Sequence, residues 1–190
     1  KMAILNSLIT WRMKKRYHQM ELFLKFPNEV QNDCLISMLK KAKDTEWGKR
    51  FQFCEIDSYE KFKERVPLQT YNSIKGDILR SQNGEKNIMW PTDIKWFAKS
   101  SGTTEDKSKF IPVSEESLFD CHYKGGKDML SIFCNWLPDT KVFRGKTVMM
   151  GGSSQMNPNL KGACTGDLSA ILISNLPFWV TRQQAPAREV

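Results

Sequence analysis

The spacing of apolar residues changes near residue 90, and this change constrains the fold more than any other feature of the sequence. Before it, apolar side chains recur every three or four positions, as they do on amphipathic helices. After it, short apolar runs alternate with helical segments, which indicates strands. We therefore predict an α/β chain, with a helical lead-in over residues 1–90 and the start of an α/β core over residues 91–190.

Helix boundaries in the lead-in are predicted from residues that cap or stop helices. A long first helix should stop at Pro27, and Asn28 is a suitable N-cap for the second helix. Asp57 and Glu60 have the spacing of a capping box and predict a short third helix. A fourth helix is expected to end before Asn83, which is followed by glycine.

The second half is predicted to alternate strands with helices. Three apolar runs indicate strands, over residues 94–98, 110–113 and 147–150. Pro112 cannot donate to a hydrogen-bond ladder, so its strand should lie at an edge or strand end. Ser114 is predicted to cap a long helix that continues to about Leu137, and Asp167 to cap the last one.

Composition excludes several classes of protein. No run approaches the roughly 20 apolar residues of a membrane span, and the basic residues follow the apolar start, which is the wrong order for a signal peptide. Five cysteines without a C-x-x-C pair favour reduced thiols over a disulfide scaffold or a zinc site. We therefore expect a soluble, cytoplasmic protein. The net charge of +8 suggests polyanionic partners, which include nucleic acid, acidic membranes and nucleotides.

A hydroxyl-rich loop between the first two predicted strands has the composition of a phosphate-binding loop. Its glycine permits a tight turn, in which successive backbone N–H groups can form an anion-binding nest. Four hydroxyl groups add donors, and Lys107 and Lys109 add the positive charge that a triphosphate needs. The predicted phosphate ligands are Ser100, Ser101, Gly102, Thr103, Thr104 and Lys109.

Composition alone leaves other interpretations of these turns open. Serine, threonine and glycine are common in ordinary hairpin loops, so the loop by itself does not establish a site. Gly145-Lys146-Thr147 imitates the end of a P-loop, but the first glycine of that motif would fall at Thr140. The segment 151–154 could form another anion-binding turn, although glycines at a strand end usually serve geometry.

The loop also resembles the signature phosphate loop of the acyl-adenylate-forming superfamily. Within that superfamily, the chain is most similar to bacterial relatives of the plant auxin-responsive acyl-acid amido synthetases. The similarity covers essentially the whole chain, in order. Besides the loop and Ile111-Pro112, it rests on Thr45-Glu-Trp-Gly-Lys49, Arg65-Val-Pro-Leu68 with Tyr71, Gly145-Lys146, Gly151-Gly152, Gly166-Asp-Leu-Ser-Ala170 and Leu176-Pro177.

Two features depart from the pattern of that family. Superfamily loops commonly carry a further glycine in their second half, where this chain has Glu105-Asp106, and the added repulsion is offset in part by Lys107 and Lys109. Family members are also several hundred residues long. The resemblance therefore implies the N-terminal part of a larger adenylating domain without the C-terminal domain, and we expect this piece to be inactive alone.

The resemblance implies a two-step ligase reaction. A carboxylate attacks the α-phosphorus of ATP to give an acyl-adenylate, and an amine, typically that of an amino acid, then takes the acyl group. ATP with Mg²⁺ is the implied cofactor pair, and the loop residues are assigned to the β- and γ-phosphates. Tyr123, Lys124 and Lys127, on the helix after the loop, are candidates for contacting the acid; an amphipathic helix with a solvated basic face is the alternative. No catalytic residue is assigned.

Two other functions fit parts of the sequence. A nucleic-acid-binding module would use the charge of +8 and the six tryptophans, but the interleaved basic and aromatic pattern of RNA-binding surfaces is missing. A catalytically inactive, partner-binding domain could also keep this fold. The sequence does not select the acid, the amine or the oligomeric state.

Overall fold

The structure is a computed structural model that describes residues 2–100, 108–149, 151, 153, 155–181, 184 and 185. Its first half is helical, as predicted. The helices are α1 (Met2–Lys25), α2 (Pro27–Ala42), α3 (Glu46–Arg50), α4 (Tyr59–Arg65) and α5 (Tyr71–Gln82), with a 3₁₀ turn at Phe53–Glu55.

Two predicted caps of the lead-in were wrong. The first helix stops before Pro27, as predicted, since α1 ends at Lys25. Pro27 is itself the first residue of α2, because its fixed φ and missing N–H suit the first turn; Phe26 therefore takes the N-cap position expected for Asn28. Ser58, and not Asp57, caps α4, since its hydroxyl accepts a hydrogen bond from Lys61 N. The predicted end of the fourth helix before Asn83 is confirmed by α5.

The second half forms a four-stranded mixed sheet. Its strands are β1 (Trp96–Lys99), β2 (Phe110–Val113), β3 (Met156–Pro158) and β4 (Cys164–Gly166), and they lie in the order β2-β1-β4-β3. β1 runs antiparallel to β2 and parallel to β4, while β3 runs antiparallel to β4. The prediction that Pro112 lies in an edge strand is confirmed.

The third predicted strand was wrong. Of residues 147–149, only Thr147 pairs at all, in an isolated parallel bridge with Gln184; Met150 lies outside the described residues. The strands that complete the sheet, β3 and β4, come from residues for which no strand was predicted. Both are three residues long, too short for an alternating pattern to be recognised.

The predicted long helix after β2 exists, with an unexpected first half. Ser117 N donates to Ser114 Oγ at 3.1 Å, which confirms the serine cap. The helix has π geometry over Ser117–Tyr123 and continues as α6 (Lys124–Trp136), through its two glycines. Two short helices, α7 (Leu168–Ser174) and α8 (Phe178–Thr181), follow β4.

β1 is buried on both faces, which makes this an α/β arrangement. Phe97, fully buried, packs with Ile78 of α5 on one face of the sheet. Ala98 packs on the opposite face with Leu118 and with Ile171 of α7. The lead-in has its own apolar cluster around Leu39, Ala42, Phe53 and Ile56. The predicted α/β class is therefore confirmed.

Candidate functional site

The two ends of the predicted phosphate loop meet at the open end of the β1–β2 hairpin. Ser100 N donates to Lys109 O at 2.9 Å, and Lys109 N donates to Ser100 Oγ at 3.2 Å. The pairing continues the ladder beyond Lys99 and Phe110 and brings Ser100 and Lys109 next to each other. The predicted ligands Ser101, Gly102, Thr103 and Thr104 lie outside the described residues.

Tyr71, the first residue of α5, holds the second strand of this hairpin. Its hydroxyl accepts a hydrogen bond from Phe110 N at 3.0 Å. Its ring also lies under the Lys109 ammonium, with Nζ 5.6 Å from the ring centroid. A cation over an aromatic face is attracted by the ring quadrupole, so Tyr71 orients the exposed lysine as well as the strand. The sequence marked Tyr71 only as part of a resemblance and gave it no role.

The hairpin end lies on the side of the sheet formed by the carboxyl ends of β1 and β4, which we call the ligand-binding edge because ligands of α/β proteins usually bind there. β1 and β4 are parallel, with Ala98 opposite Gly166, so Ser100 and Asp167 follow neighbouring strands at the same edge. β3 begins at this edge too, since Met156 pairs with Gly166. Open α/β sheets bind ligands outside the carboxyl ends of their strands.

A turn before β3 is anchored beside this edge by Asp167. Ser153 N donates to Asp167 Oδ2 at 2.9 Å, and Gln155 N donates to Ser153 Oγ at 3.1 Å. Gly151 lies against α7 so closely that a Cβ there would stand 3.1 Å from Ile173 Cδ1. Asp167 was predicted to cap α7 and occupies the N-cap position, but its side chain does not bond the helix. The Ser153 amide is thus committed to a carboxylate.

The three candidate acyl contacts lie in different surroundings. Tyr123 packs against the sheet cluster and donates its hydroxyl to Leu172 O at 2.7 Å; burial raises the pKa of this phenol. Lys124 is exposed. Lys127 lines a cavity between the helix and α1. The structure therefore does not gather these three side chains at one point.

The Thr45–Lys49 segment, which contributed to the family resemblance, has an architectural explanation. Thr45 is fully buried; its hydroxyl donates to Ala42 O at 2.7 Å and accepts from Gly48 N at 2.9 Å. A Cβ on Gly48 would lie 2.1 Å from Ala42 O, so no side chain fits there. Trp47 Nε1 donates to Asp77 Oδ2 at 2.8 Å and ties α3 to α5, the helix that carries Tyr71.

Two features are absent from the described part of the chain. No helix there combines the length and the apolar character needed to cross a membrane. Within the same residues, no three His, Cys, Asp or Glu side chains are grouped as ligands of a metal ion. All five cysteines carry free thiols.

Comparison with known proteins finds plant enzymes of one family. The sequence profile described as the GH3 family N-terminal domain matches residues 16–190. The chain is 36% identical over 93 residues to an Arabidopsis thaliana protein named indole-3-acetic acid-amido synthetase GH3.2. It is 33% identical over 90 residues to a rice protein named probable indole-3-acetic acid-amido synthetase GH3.2. These alignments cover 48% and 47% of this chain but only 17% and 15% of the plant proteins.

Solved structures share the fold of the chain. It superposes on GH3.15 acyl acid amido synthetase with a TM-score of 0.73 and 21% identity, over 85% of this chain and 29% of the other. A second structure, AtGH3.15 acyl acid amido synthetase in complex with 2,4-DB, gives a TM-score of 0.70 at 19% identity. The chain thus spans less than a third of these solved structures.

Proposed function

Because the chain belongs to the GH3 family, we propose that it is the N-terminal part of an ATP-dependent acyl-acid amido synthetase. In the first step, a carboxylate oxygen attacks the α-phosphorus of ATP, and pyrophosphate leaves. In the second step, an amine attacks the carbonyl of the acyl-adenylate to form an amide, and AMP leaves. The observation that carries this proposal is the hairpin end at which Ser100 and Lys109 meet, at the ligand-binding edge of the sheet.

In this proposal, the hairpin end binds the polyphosphate. The backbone and hydroxyls of residues 100–104 bind the β- and γ-phosphates, and Lys109 neutralises part of their charge. The Tyr71 ring, 5.6 Å from Lys109 Nζ, supports this role by orienting the ammonium. Mg²⁺ accompanying ATP would supply further positive charge at the phosphates and so reduce the charge that Lys109 must balance.

The acid and the amine are proposed from the relatives. The plant proteins are named indole-3-acetic acid-amido synthetases, and one solved relative is in complex with 2,4-DB. We therefore propose a small carboxylic acid and an amino acid as substrates. Tyr123, Lys124 and Lys127 remain candidates for the acid, although the hydroxyl of Tyr123 already bonds Leu172 O, so its ring and not its hydroxyl would face a substrate.

Domain organisation and location belong to the same proposal. Residues 1–90 and 91–190 are assigned to one larger adenylating domain, as the helical lead-in and the start of its α/β core. A cytoplasmic location is supported by the free thiols, because reducing compartments keep cysteines unpaired.

The proposal is tested by acid-dependent exchange of labelled pyrophosphate into ATP, measured on the full-length protein. A panel of aryl and alkyl carboxylic acids, each assayed with and without Mg²⁺, should contain at least one acid that drives exchange. Titration of ATP into the same protein separates the alternatives. A ligase binds ATP and catalyses exchange, whereas a partner-binding domain without catalysis gives no exchange with any acid. Absence of both exchange and ATP binding would contradict the proposal.

A further inference from the structure

A positively charged cavity lies between α1 and α6, formed by elements other than the hairpin. We call it the α1–α6 cavity; it has a volume of about 280 Å³. Its lining residues are Trp11, Arg12, Lys15, Arg16, Gln19 and Lys127. Five of them lie on α1 with spacings of three to four residues, so they share one face of that helix.

Arg16, one of the lining residues, forms an ion pair from α1 to α6. Arg16 Nε donates to Asp128 Oδ1 at 2.7 Å, and its Nη2 donates to Asp128 Oδ2 at 3.0 Å. Both side chains are mostly buried, 13% and 18% exposed. The remaining Nη1 donates to Gln19 Oε1 at 3.1 Å. A two-point Arg–carboxylate contact fixes geometry, so α1 and α6 hold a defined cavity between them.

The other three cations of the cavity have no carboxylate partner among the residues that the structure describes. Asp128 is used by Arg16, and no acidic residue occurs in α1 before Glu21. Arg12, Lys15 and Lys127 therefore place three positive charges around one space, while Lys15 Nζ lies 5.7 Å from the Trp11 ring centroid. Like charges held together repel, and a bound anion removes that repulsion.

We propose that the α1–α6 cavity binds a compact anion that carries two or more phosphate groups. The guanidinium of Arg12 offers a fork for two phosphate oxygens, and the two lysines act as point charges on either side. The volume lies just below the roughly 300–1,000 Å³ of sites for drug-sized ligands, which suits a small polyanion. The inference does not depend on the proposed ligase function.

Calorimetric titration of sodium tripolyphosphate into the chain tests this site, with circular dichroism to check folding. The double variant Arg12→Gln, Lys15→Gln should weaken binding at least tenfold. Its matched control is Lys40→Gln, Lys43→Gln, which removes two charges from exposed positions of the α2 end. The control should change affinity less than twofold, and raising NaCl from about 50 to 200 mM should weaken binding.

Two outcomes would overturn the proposal. Equal weakening by the cavity variant and the control would show that only net charge matters. Loss of tripolyphosphate binding in Lys109→Ala, with the cavity variant unaffected, would place the anion at the hairpin instead. Failure here leaves pyrophosphate exchange untouched, so the two proposals can fail separately.

The phosphate groups could come from a soluble polyphosphate or from a lipid headgroup. Sedimentation with phosphatidylcholine vesicles containing a phosphorylated phosphatidylinositol decides between them. Sedimentation that tripolyphosphate reverses, and that the cavity variant lacks, assigns the site to the headgroup. Tripolyphosphate binding without sedimentation assigns it to a soluble anion.

Discussion

At the scale of single residues, Lys109 is the described side chain whose replacement should affect the proposed chemistry most. Lys109→Ala removes a charge from the hairpin end but leaves its backbone hydrogen bonds to Ser100 in place. Charge-assisted hydrogen bonds contribute about 1.5–3 kcal/mol, so pyrophosphate exchange by the full-length protein should fall about 10- to 100-fold. Lys95→Ala, at the other end of β1, is the control and should keep normal exchange. Normal exchange in Lys109→Ala would remove this lysine from the mechanism.

Among the glycines of the lead-in, Gly48 has the least room for a side chain. Gly48→Ala would force a Cβ to within 2.1 Å of one carbonyl oxygen and 2.4 Å of the next. We expect a loss of about 3 kcal/mol in the free energy of unfolding, the upper end for steric overpacking, measured by urea denaturation.

Gly76→Ala in α5 is the matched control, because nothing lies within 4 Å of a Cβ at that position. An alanine inside a helix should stabilise it by about 0.5–1 kcal/mol. Similar urea midpoints for the two variants would contradict the steric explanation of Gly48.

Some contacts of the candidate site could be predicted from the sequence and others could not. Ser100 and Lys109 were predicted from the composition of one continuous segment, and the structure does bring them together. Tyr71 is separated from Phe110 by 39 positions, and no local pattern records a contact over that distance. The hydrogen bond from Ser153 N to Asp167 Oδ2 was missed for a related reason. An aspartate before a helix indicates an N-cap, but the partner of Asp167 lies in another turn.

At the scale of elements, Glu116 joins the helix after β2 to the lead-in. Its carboxylate pairs with Lys41 of α2 and accepts hydrogen bonds from Trp90 Nε1 at 3.0 Å and Thr92 Oγ1 at 3.2 Å. Burial raises the pKa of this carboxyl, but hydrogen bonds, first among them that from Lys41, outweigh burial and lower it from 4.5 to about 2.

This junction predicts a pH dependence of stability. Because the pKa of Glu116 is lower in the folded chain than in the unfolded chain, the unfolded chain binds more protons at acidic pH. The contribution of Glu116 is complete above about pH 5 and is lost as the pH falls through 4.5 towards 2. Urea unfolding at pH 5, 4 and 3 should therefore show a smaller loss of stability for Glu116→Gln than for the unchanged chain. Glu115→Gln, at the exposed neighbouring position, should follow the unchanged chain; identical pH profiles for all three would refute the junction.

The elements differ in how well the sequence predicted them. α1, α2 and α5 have enough turns for apolar spacing to be recognised, and β1 and β2 are apolar runs bounded by polar loops. β3 and β4 contain asparagine, proline, threonine and glycine, which favour turns in isolation. β4 becomes a strand by pairing with β1, more than 60 positions away along the chain, and β3 by pairing with β4; propensity does not encode pairing.

At the scale of the whole molecule, the chain is compared with proteins about three times as long. It covers 29% of the GH3.15 chain on which it superposes. We expect the 190-residue chain to show no acid-dependent pyrophosphate exchange under conditions in which the full-length protein is active. The reason is that adenylation requires the acid, the α-phosphorus and the adenosine to be positioned together. Turnover by the short chain would contradict this expectation.

The two hydrogen bonds between Ser100 and Lys109 allow the segment between these residues to vary in sequence and length. Because Ser100 N already bonds Lys109 O, residues 101–107 can be replaced without breaking any hydrogen bond between β1 and β2. Doubling the length of a flexible loop costs only about 0.6 kcal/mol. Evolution, or a protein engineer, could therefore exchange this segment, and with it the anion preference that we propose for it, while the β1–β2 hairpin stays paired.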